Sequence, residues 1–382
     1  MNKRYVPQWG IDVSLLGFGA MRLPTCETDG RQGIDRAEAV KMIRTGIDAG
    51  INYVDTAFGY HGGESEIVVG QALRDGYRER VYLATKCPSW LVKEEGDMYR
   101  FLDTQLEKLQ TDHIDFYLLH GIGKARLDDY RRFNYQKFLQ AALDEGKIRR
   151  ACFSFHDDAQ AFIEILNDYD WSMAQVQFNY LDDESQATLA GIREAGKRGV
   201  GVIAMEPLRG GALANPPKGI GDMIEAHPSR RSAVEWAFAY TAAFPEIKVI
   251  LSGMSNMEQL TENLRIFENL PAELTDGDMR FLKELKDAYN SRVKTGCTAC
   301  GYCQPCPQGV LIPEILTAYD DAYRLLTLNH FRFAYNSWKE RNAFADMCVE
   351  CGECEGVCPQ KIPIMRHLAD AARQLHAGEI AE

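Results

Sequence analysis

A chain of 382 residues is longer than one ordinary domain and suits a single large barrel with a small module attached. Its 46% hydrophobic content supplies a sizeable core, and a formal net charge of -12 argues against nucleic acid or an anionic membrane as a main partner. The start, Met1-Asn2-Lys3-Arg4-Tyr5, leads into no apolar run, and no stretch is long and uncharged enough to span a bilayer, so the expectation is a soluble, cytoplasmic protein.

Strand-like and helix-like segments then alternate along the chain. Ser14 to Met21 reads as a glycine-rich strand, and Asp35 to Ala49 as an amphipathic helix with Asp35 as its N-cap. A short buried strand runs from Tyr53 to Ala57, a helix from about Glu64 to Arg74, and a strand from Val81 to Lys86. Helix Asp97 to Leu109 leads to strand Ile114 to His120. Helix Tyr135 to Glu145 leads to strand Ile148 to Ser154, and helix Ala159 to Asn167 to strand Ala174 to Asn179. Helix Ser185 to Arg198 precedes strand Gly199 to Met205. Helix Arg230 to Ala243, strand Ile247 to Ser252 and helix Met257 to Glu268 complete the series. Eight strands, each followed by a helix, predict an α/β fold: a (β/α)8 TIM barrel over residues 1–290.

Three of these strands end in, or lead into, ionisable side chains: Asp55 with Tyr60 just beyond, Lys86, and His120. In a barrel of parallel strands the carboxyl ends share one face, where such side chains converge on one pocket. A phenol has a pKa of about 10 and is a weak acid at neutral pH. A nearby ammonium favours phenolate and so makes Tyr60 the better proton donor. Asp55 holds Lys86 charged and in place, and His120 could orient a carbonyl oxygen or relay a proton. The process served is hydride arriving at a carbonyl whose developing alkoxide needs a proton. The plain structural alternative is an Asp55–Lys86 ion pair under the barrel mouth, with Tyr60 and His120 incidental. Four such residue types in this order at strand ends favour the functional reading.

Asp55-x4-Tyr60, the Ala84-Thr85-Lys86 strand end and the Leu118-Leu119-His120 strand end resemble the aldo-keto reductase family over roughly residues 10 to 290. The resemblance implies a catalytic tetrad of Asp55, Tyr60, Lys86 and His120, and an extended NADP(H) lying across the strand ends, with NAD(H) not excluded. Consistent with that, no Gly-x-Gly-x-x-Gly opens a helix after a strand, as a Rossmann module would need. The family's carboxamide-binding residues fall on Ser154 and Gln177. Its Asn is missing from Phe153-Ser154-Phe155-His156, so His156 or Asn179 is expected to contribute instead. Gly19, Met21 and Asp55 are further expected cofactor contacts, as are Pro207 and Leu208. Met205 stands where the family often stacks an aromatic ring on the nicotinamide, and a thioether can pack on a ring face. Arg209, followed by Gly210 and Gly211, lies in a loop suited to phosphate. Ser252 to Asn263 is similar to the family's adenosine-binding segment, with Ser255, Gln259, Glu262 and Asn263 as contacts; a plain N-capped surface helix is the alternative. Met254 replaces the basic residue often found just before that Ser.

The remaining segment, 291–382, is of another kind. Of 11 Cys, Cys26, Cys87 and Cys152 are scattered and read as packed thiols. The other eight form Cys297-x2-Cys300-x2-Cys303-x2-Cys306-Pro307 and Cys348-x2-Cys351-x2-Cys354-x3-Cys358-Pro359. The second run has the bacterial ferredoxin spacing; the first is one residue short in its last gap. In that template the Cys before Pro serves the other cluster. This predicts Cys297, Cys300, Cys303 and Cys358 on one [4Fe-4S] cluster, and Cys348, Cys351, Cys354 and Cys306 on a second. Disulfides do not suit a reducing compartment, and zinc prefers separated Cys pairs. Helices from Ile315 to Leu326 and from about Phe331 to Ala345 separate the runs, and a helix from about Thr275 to Arg292 leads in. The module reads as a small, mainly helical dicluster ferredoxin-like domain.

The combined expectation is an NAD(P)H-dependent reductase of aldehydes or ketones whose clusters exchange electrons, sense oxidants or serve structure. Nicotinamide delivers two electrons as hydride whereas each cluster takes one. No flavin motif is present to mediate, so a redox partner protein is one outlet. Two other readings stand beside it: a non-catalytic nucleotide-sensing or scaffold barrel, and a flavin-linked electron-transfer enzyme. The substrate pocket falls to the loops Pro88 to Glu95 and Gly121 to Phe133, where Trp90 and Tyr130 are candidates to line it.

Overall fold

A computed structural model describes residues 1–28 and 31–377. The chain divides into two compact units, residues 1–210 with 235–275, and residues 211–234 with 276–382.

The first unit is a closed barrel of eight parallel strands: Leu16–Gly19, Tyr53–Asp55, Tyr82–Cys87, Phe116–Ile122, Ala151–Phe155, Met173–Gln177, Gly201–Met205 and Ile247–Gly253. Neighbours in sequence are neighbours in the barrel, and Ile250 pairing with Leu16 closes it. Side chains alternate across a strand. Tyr53, Ala84, Phe116, Leu118, Cys152, Met173, Ile203, Val249 and Leu251 therefore fill one buried cluster inside the barrel. An antiparallel hairpin, Lys3–Val6 with Ile11–Ser14, carries Trp9 into the same cluster. The Trp9 indole donates to the Ser172 carbonyl at 3.0 Å and meets Phe116 edge-on at 4.8 Å. A Cβ at Gly201 would stand 2.3 Å from the Trp9 ring, so only glycine leaves room for it.

Around the barrel, helices start and stop where their sequences provide. Asp35 caps Arg36–Asp48 by accepting from the Glu38 amide at 3.0 Å, and Asp158 caps Ala159–Asp168 in the same way. Helix Glu95–Leu109 opens with a reciprocal box between Glu94 and Asp97. Three elements go beyond the sequence expectation in this unit: the first hairpin, a second hairpin Thr25–Thr28 with Arg31–Ile34, and helix Lys124–Arg132 within the loop after His120.

In the second unit, helices Lys218–Ala226 and Asp276–Asn290 belong together: Arg231 pairs with Asp278 at 2.8 Å, and the His227 ring lies on Phe281. Helices Ile312–Leu325, Asn329–Glu340 and Ile364–Ala377 enclose a separate core that includes Ile315, Leu316, Tyr319, Phe331, Trp338 and Leu368. Six cysteines pack against it. No helix among the described residues is long and apolar enough to cross a membrane.

Candidate functional site

The pleat that buries Tyr53, Ala84, Leu118 and Cys152 inside the barrel sends the next inward positions, Asp55, Lys86, His120 and Ser154, to the carboxyl ends of adjacent strands. Lys86 is the hub. Its Nζ donates to Asp55 Oδ1 at 2.7 Å, to the Thr56 carbonyl at 2.8 Å and to the Tyr60 hydroxyl at 3.3 Å. All three ammonium donors are thus placed, and both Lys86 and Asp55 are buried. The His120 ring meets Tyr60 edge-on at 6.0 Å and Trp90 at 5.1 Å. The structure brings the four tetrad candidates together at one strand-end site.

Burial sets the electrostatics. It works against the Lys86 ammonium, but Asp55 and Tyr60 outweigh it and hold Lys86 above its ordinary value. Burial pushes the Asp55 carboxyl up against the pull of Lys86. The Tyr60 phenol is also raised: burial comes first, and the Lys86 charge pulls it back only part of the way. The expected direction of the lysine's influence is present, but desolvation exceeds it, so the net shift is opposite to the one anticipated from sequence. Burial, with the Lys86 charge, pushes His120 down to about 3 and keeps its imidazole neutral at physiological pH. Asp55 Oδ2 and His120 Nδ1 are buried polar atoms with no hydrogen-bond partner among the described residues.

A second polar cluster backs this one on the outer side of the strand. Buried Glu66 accepts from Thr85 at 2.7 Å and from Gln105 at 2.6 Å, and Gln105 also donates to the Lys86 carbonyl at 3.0 Å. Lys108 reaches Glu66 and the Gly63 carbonyl and lies over the Phe58 ring at 4.2 Å. Helices Ser65–Ala72 and Glu95–Leu109 thereby brace both the Lys86 strand and the segment carrying Tyr60. Sequence reasoning passed over Glu66, Gln105 and Lys108. Glu66 and Gln105 carried a signal, Glu66 as a lone acid in the apolar run of helix Ser65–Ala72 and Gln105 as a polar residue on the buried face of an amphipathic helix.

The cofactor candidates divide into open and committed groups. Ser154 is buried and accepts from the Gly121 amide at 2.8 Å, while its own hydroxyl hydrogen remains to donate. Met205 is half-buried, its sulfur 3.7 Å from Gln175 Nε2. Gln177 donates to Asp182 at 2.7 Å and accepts from Gln186. Asn179 is sealed: its amide reaches Asp182 and the Glu206 carbonyl, and its oxygen takes two backbone amides. Of the two substitutes for the missing Asn, Asn179 is therefore a structural residue, and His156 is the exposed one. Arg209 pairs with Asp182 at 3.0 Å, so its charge is already matched. Pro207 is buried, Leu208 half-buried and Met21 exposed. A Cβ at Gly19 would come within 3.3 Å of the Ser252 carbonyl.

Ser255, Gln259 and Glu262 are exposed at the start of helix Met257–Glu268, with Asn256 as N-cap. Gln259 Oε1 accepts from the Ser255 amide at 2.8 Å, and buried Asn263 donates to Ser252 at 3.0 Å. Met254 is fully buried and apolar. Of the pocket candidates, Trp90 is 48% exposed beside His120, whereas Tyr130 is buried against Tyr135 and belongs to the packing.

In the second unit the eight clustered cysteines line two cavities. One is lined by Cys297, Cys300, Cys303 and Cys358; the other by Cys306, Cys348, Cys351 and Cys354, with Cys303 at its edge. Cys306 and Cys358, the cysteines before the prolines, each line the cavity of the opposite run. Among the described residues no three His, Cys, Asp or Glu side chains gather tightly enough for a single metal ion; these thiols surround volumes. The donor set and the space fit a cluster of iron and sulfide. Asp320 fixes the approach to Cys297 by accepting from the Lys294, Thr295 and Gly296 amides and the Thr295 hydroxyl.

Fold and strand-end constellation define a barrel oxidoreductase joined to a cysteine-rich module. Residues 15–287 match the aldo/keto reductase family model and residues 296–363 the 4Fe-4S dicluster domain model. The chain belongs to the aldo-keto reductase family and carries a 4Fe-4S dicluster domain. Among its relatives are the NADH-specific methylglyoxal reductase of Escherichia coli, 28% identical over 73% of this chain and 96% of that protein, and L-galactose dehydrogenase of Arabidopsis thaliana, 29% identical over 67% and 84%. Among solved structures, the holo form of an aldo-keto reductase from Bacillus halodurans superposes with a TM-score of 0.63 at 26% identity, covering 75% of this chain and 96% of that one.

Proposed function

We propose that the barrel reduces an aldehyde or ketone to the alcohol, with Tyr60 as proton donor and NAD(P)H as reductant. The observation that carries this reading is the placement of Lys86 between Asp55 and the Tyr60 hydroxyl, beside a neutral His120. When bound, the reduced nicotinamide supplies a hydride to the carbonyl carbon. Unpartnered His120 Nδ1 accords with a ligand laid over the strand ends. Ser154, His156, Met205, Ser255, Gln259 and Glu262 would hold it.

The chain's own part is to orient and protonate. Neutral His120 orients the carbonyl oxygen towards Tyr60. As negative charge grows on that oxygen, the Tyr60 proton moves to it, and the Lys86 ammonium stabilises the phenolate left behind. Asp55 fixes Lys86 for that task. With Arg209 on Asp182 and Met254 apolar, neither residue gives NADPH an advantage over NADH. In the second unit, two [4Fe-4S] clusters held by the crossed cysteine sets would exchange single electrons with an external partner.

The test is carbonyl-dependent oxidation of NADH and of NADPH by anoxically purified protein across an aldehyde and ketone panel. Tyr60→Phe is expected to lower kcat by about 10^2–10^4-fold while leaving cofactor binding intact. Tight cofactor binding without turnover on any carbonyl would overturn the reading.

A further inference from the structure

Three of the largest exposed apolar side chains in the second unit, Tyr302 at 68%, Val349 at 61% and Val357 at 52%, all line the cavity of Cys306, Cys348, Cys351 and Cys354. The two segments that carry them are charged with one sign, although exposed Arg341 and Lys361 stand at the ends of the second and exposed Arg366 follows Met365 of the same cavity. Residues 297–313 contain no ionisable Asp, Glu, Lys or Arg, and residues 342–360 contain Asp346, Glu350, Glu353 and Glu355 with no Lys or Arg. Asp346 is taken by the Tyr335 hydroxyl and Glu355 by the Met365 amide. Glu350 and Glu353 are exposed, and Glu353 lines the cavity itself. A [4Fe-4S] cluster on four thiolates would add further negative charge at this mouth.

We propose that this face, centred on Tyr302, Val349 and Val357 and bordered by Glu350 and Glu353, docks a one-electron carrier protein whose own docking face is apolar at its centre and Lys/Arg-rich at its rim. The proposal rests on the cluster-binding reading of the cysteine module, not on the carbonyl chemistry of the barrel. A small apolar centre with a charged border suits a brief encounter, for which interfaces are small and charge sets orientation and rate. At this face one electron passes between the carrier and the cluster behind it. The carrier is oxidised as the cluster is reduced, or the reverse, with no bond or proton transferred. An acidic carrier would meet like charge here and be turned away.

The experiment uses the full-length holoprotein with both partners oxidised, so that binding is read without turnover. Titration calorimetry with a basic, lysine-rimmed c-type cytochrome as probe is expected to show binding that weakens about tenfold on raising salt to about 0.2 M. An acidic flavodoxin is expected to show none. Glu350→Gln with Glu353→Gln, and separately Tyr302→Ser with Val357→Ser, are each expected to weaken the cytochrome at least about fivefold. Glu79→Gln with Glu107→Gln, an equal charge change on the barrel, should not. Iron, sulfide and EPR measured on every variant report the clusters, and the NAD(P)H assay reports the barrel. Absence of clusters from the wild-type protein overturns the cluster reading and this proposal with it. With clusters intact, equal binding of the flavodoxin, equal loss in the control pair, or no loss in either face variant overturns the docking proposal alone.

Discussion

Lys86 links the charges of the candidate site, and its neighbours decide how that site answers pH. A histidine of ordinary pKa, about 6.5, would switch the site between charge states near neutrality. Burial holds His120 down to about 3, so it stays neutral across that range, while Tyr60, raised above its ordinary value, stays protonated. Both shifts widen the window in which imidazole and phenol are in the forms the proposed reaction needs. The expected kcat/KM profile is therefore flat through about pH 6 to 9 and falls only at the alkaline end as Tyr60 ionises. A fall on acidification with a midpoint near 6.5, abolished in His120→Gln, would show that His120 titrates normally and that this account is wrong. Asp55, Lys86 and His120 were legible because each lies at a strand end and period-2 alternation sends it inward, whereas Tyr60, in the turn beyond Asp55, was legible only from its spacing to that residue. The sign of the Tyr60 shift was not, since it depends on how little water reaches the hydroxyl.

Elements were legible where their apolar period was strong. All eight barrel strands and one helix after each emerge from alternation and caps, because burying one face of each is what shapes those stretches. Helix Lys124–Arg132 escaped because its nine residues are mostly charged and bury only Leu127 and Tyr130. The hairpin Lys3–Val6 with Ile11–Ser14 escaped because its strands are four residues long and half exposed. Yet that hairpin delivers Trp9 to the barrel interior, where it occupies the space in front of Gly201. Gly201→Ala places a methyl 2.3 Å from a ring that a hydrogen bond to Ser172 holds in place. Overpacking of that kind is expected to destabilise by about 1–3 kcal/mol, read as a lower urea midpoint. Trp9→Leu in the same background should recover part of the loss. Wild-type stability of Gly201→Ala would mean that the indole does not sit there.

At the scale of the whole chain there are two separate apolar cores, and cysteine spacing makes a definite proposal for how clusters on the second are wired. The spacing speaks because three thiols two residues apart can wrap one cluster only if the fourth ligand comes from elsewhere. Combining variants tests the crossing without resolving the clusters individually. If Cys358 serves the cluster of Cys297, Cys300 and Cys303, then Cys358→Ala and Cys300→Ala damage the same cluster. Their double variant should hold about as much iron as either single one, about four per chain against about eight in the wild type. Cys358→Ala with Cys351→Ala strikes both clusters and should hold almost none. Local ligation, with each run binding its own cluster, predicts the reverse order for the two pairs, because Cys358 and Cys351 would then share a cluster. Iron and sulfide content of the four variants decides between the two wirings. The crossed result is expected because Cys358 lines the cavity of Cys297, Cys300 and Cys303, while Cys306 lines that of Cys348, Cys351 and Cys354.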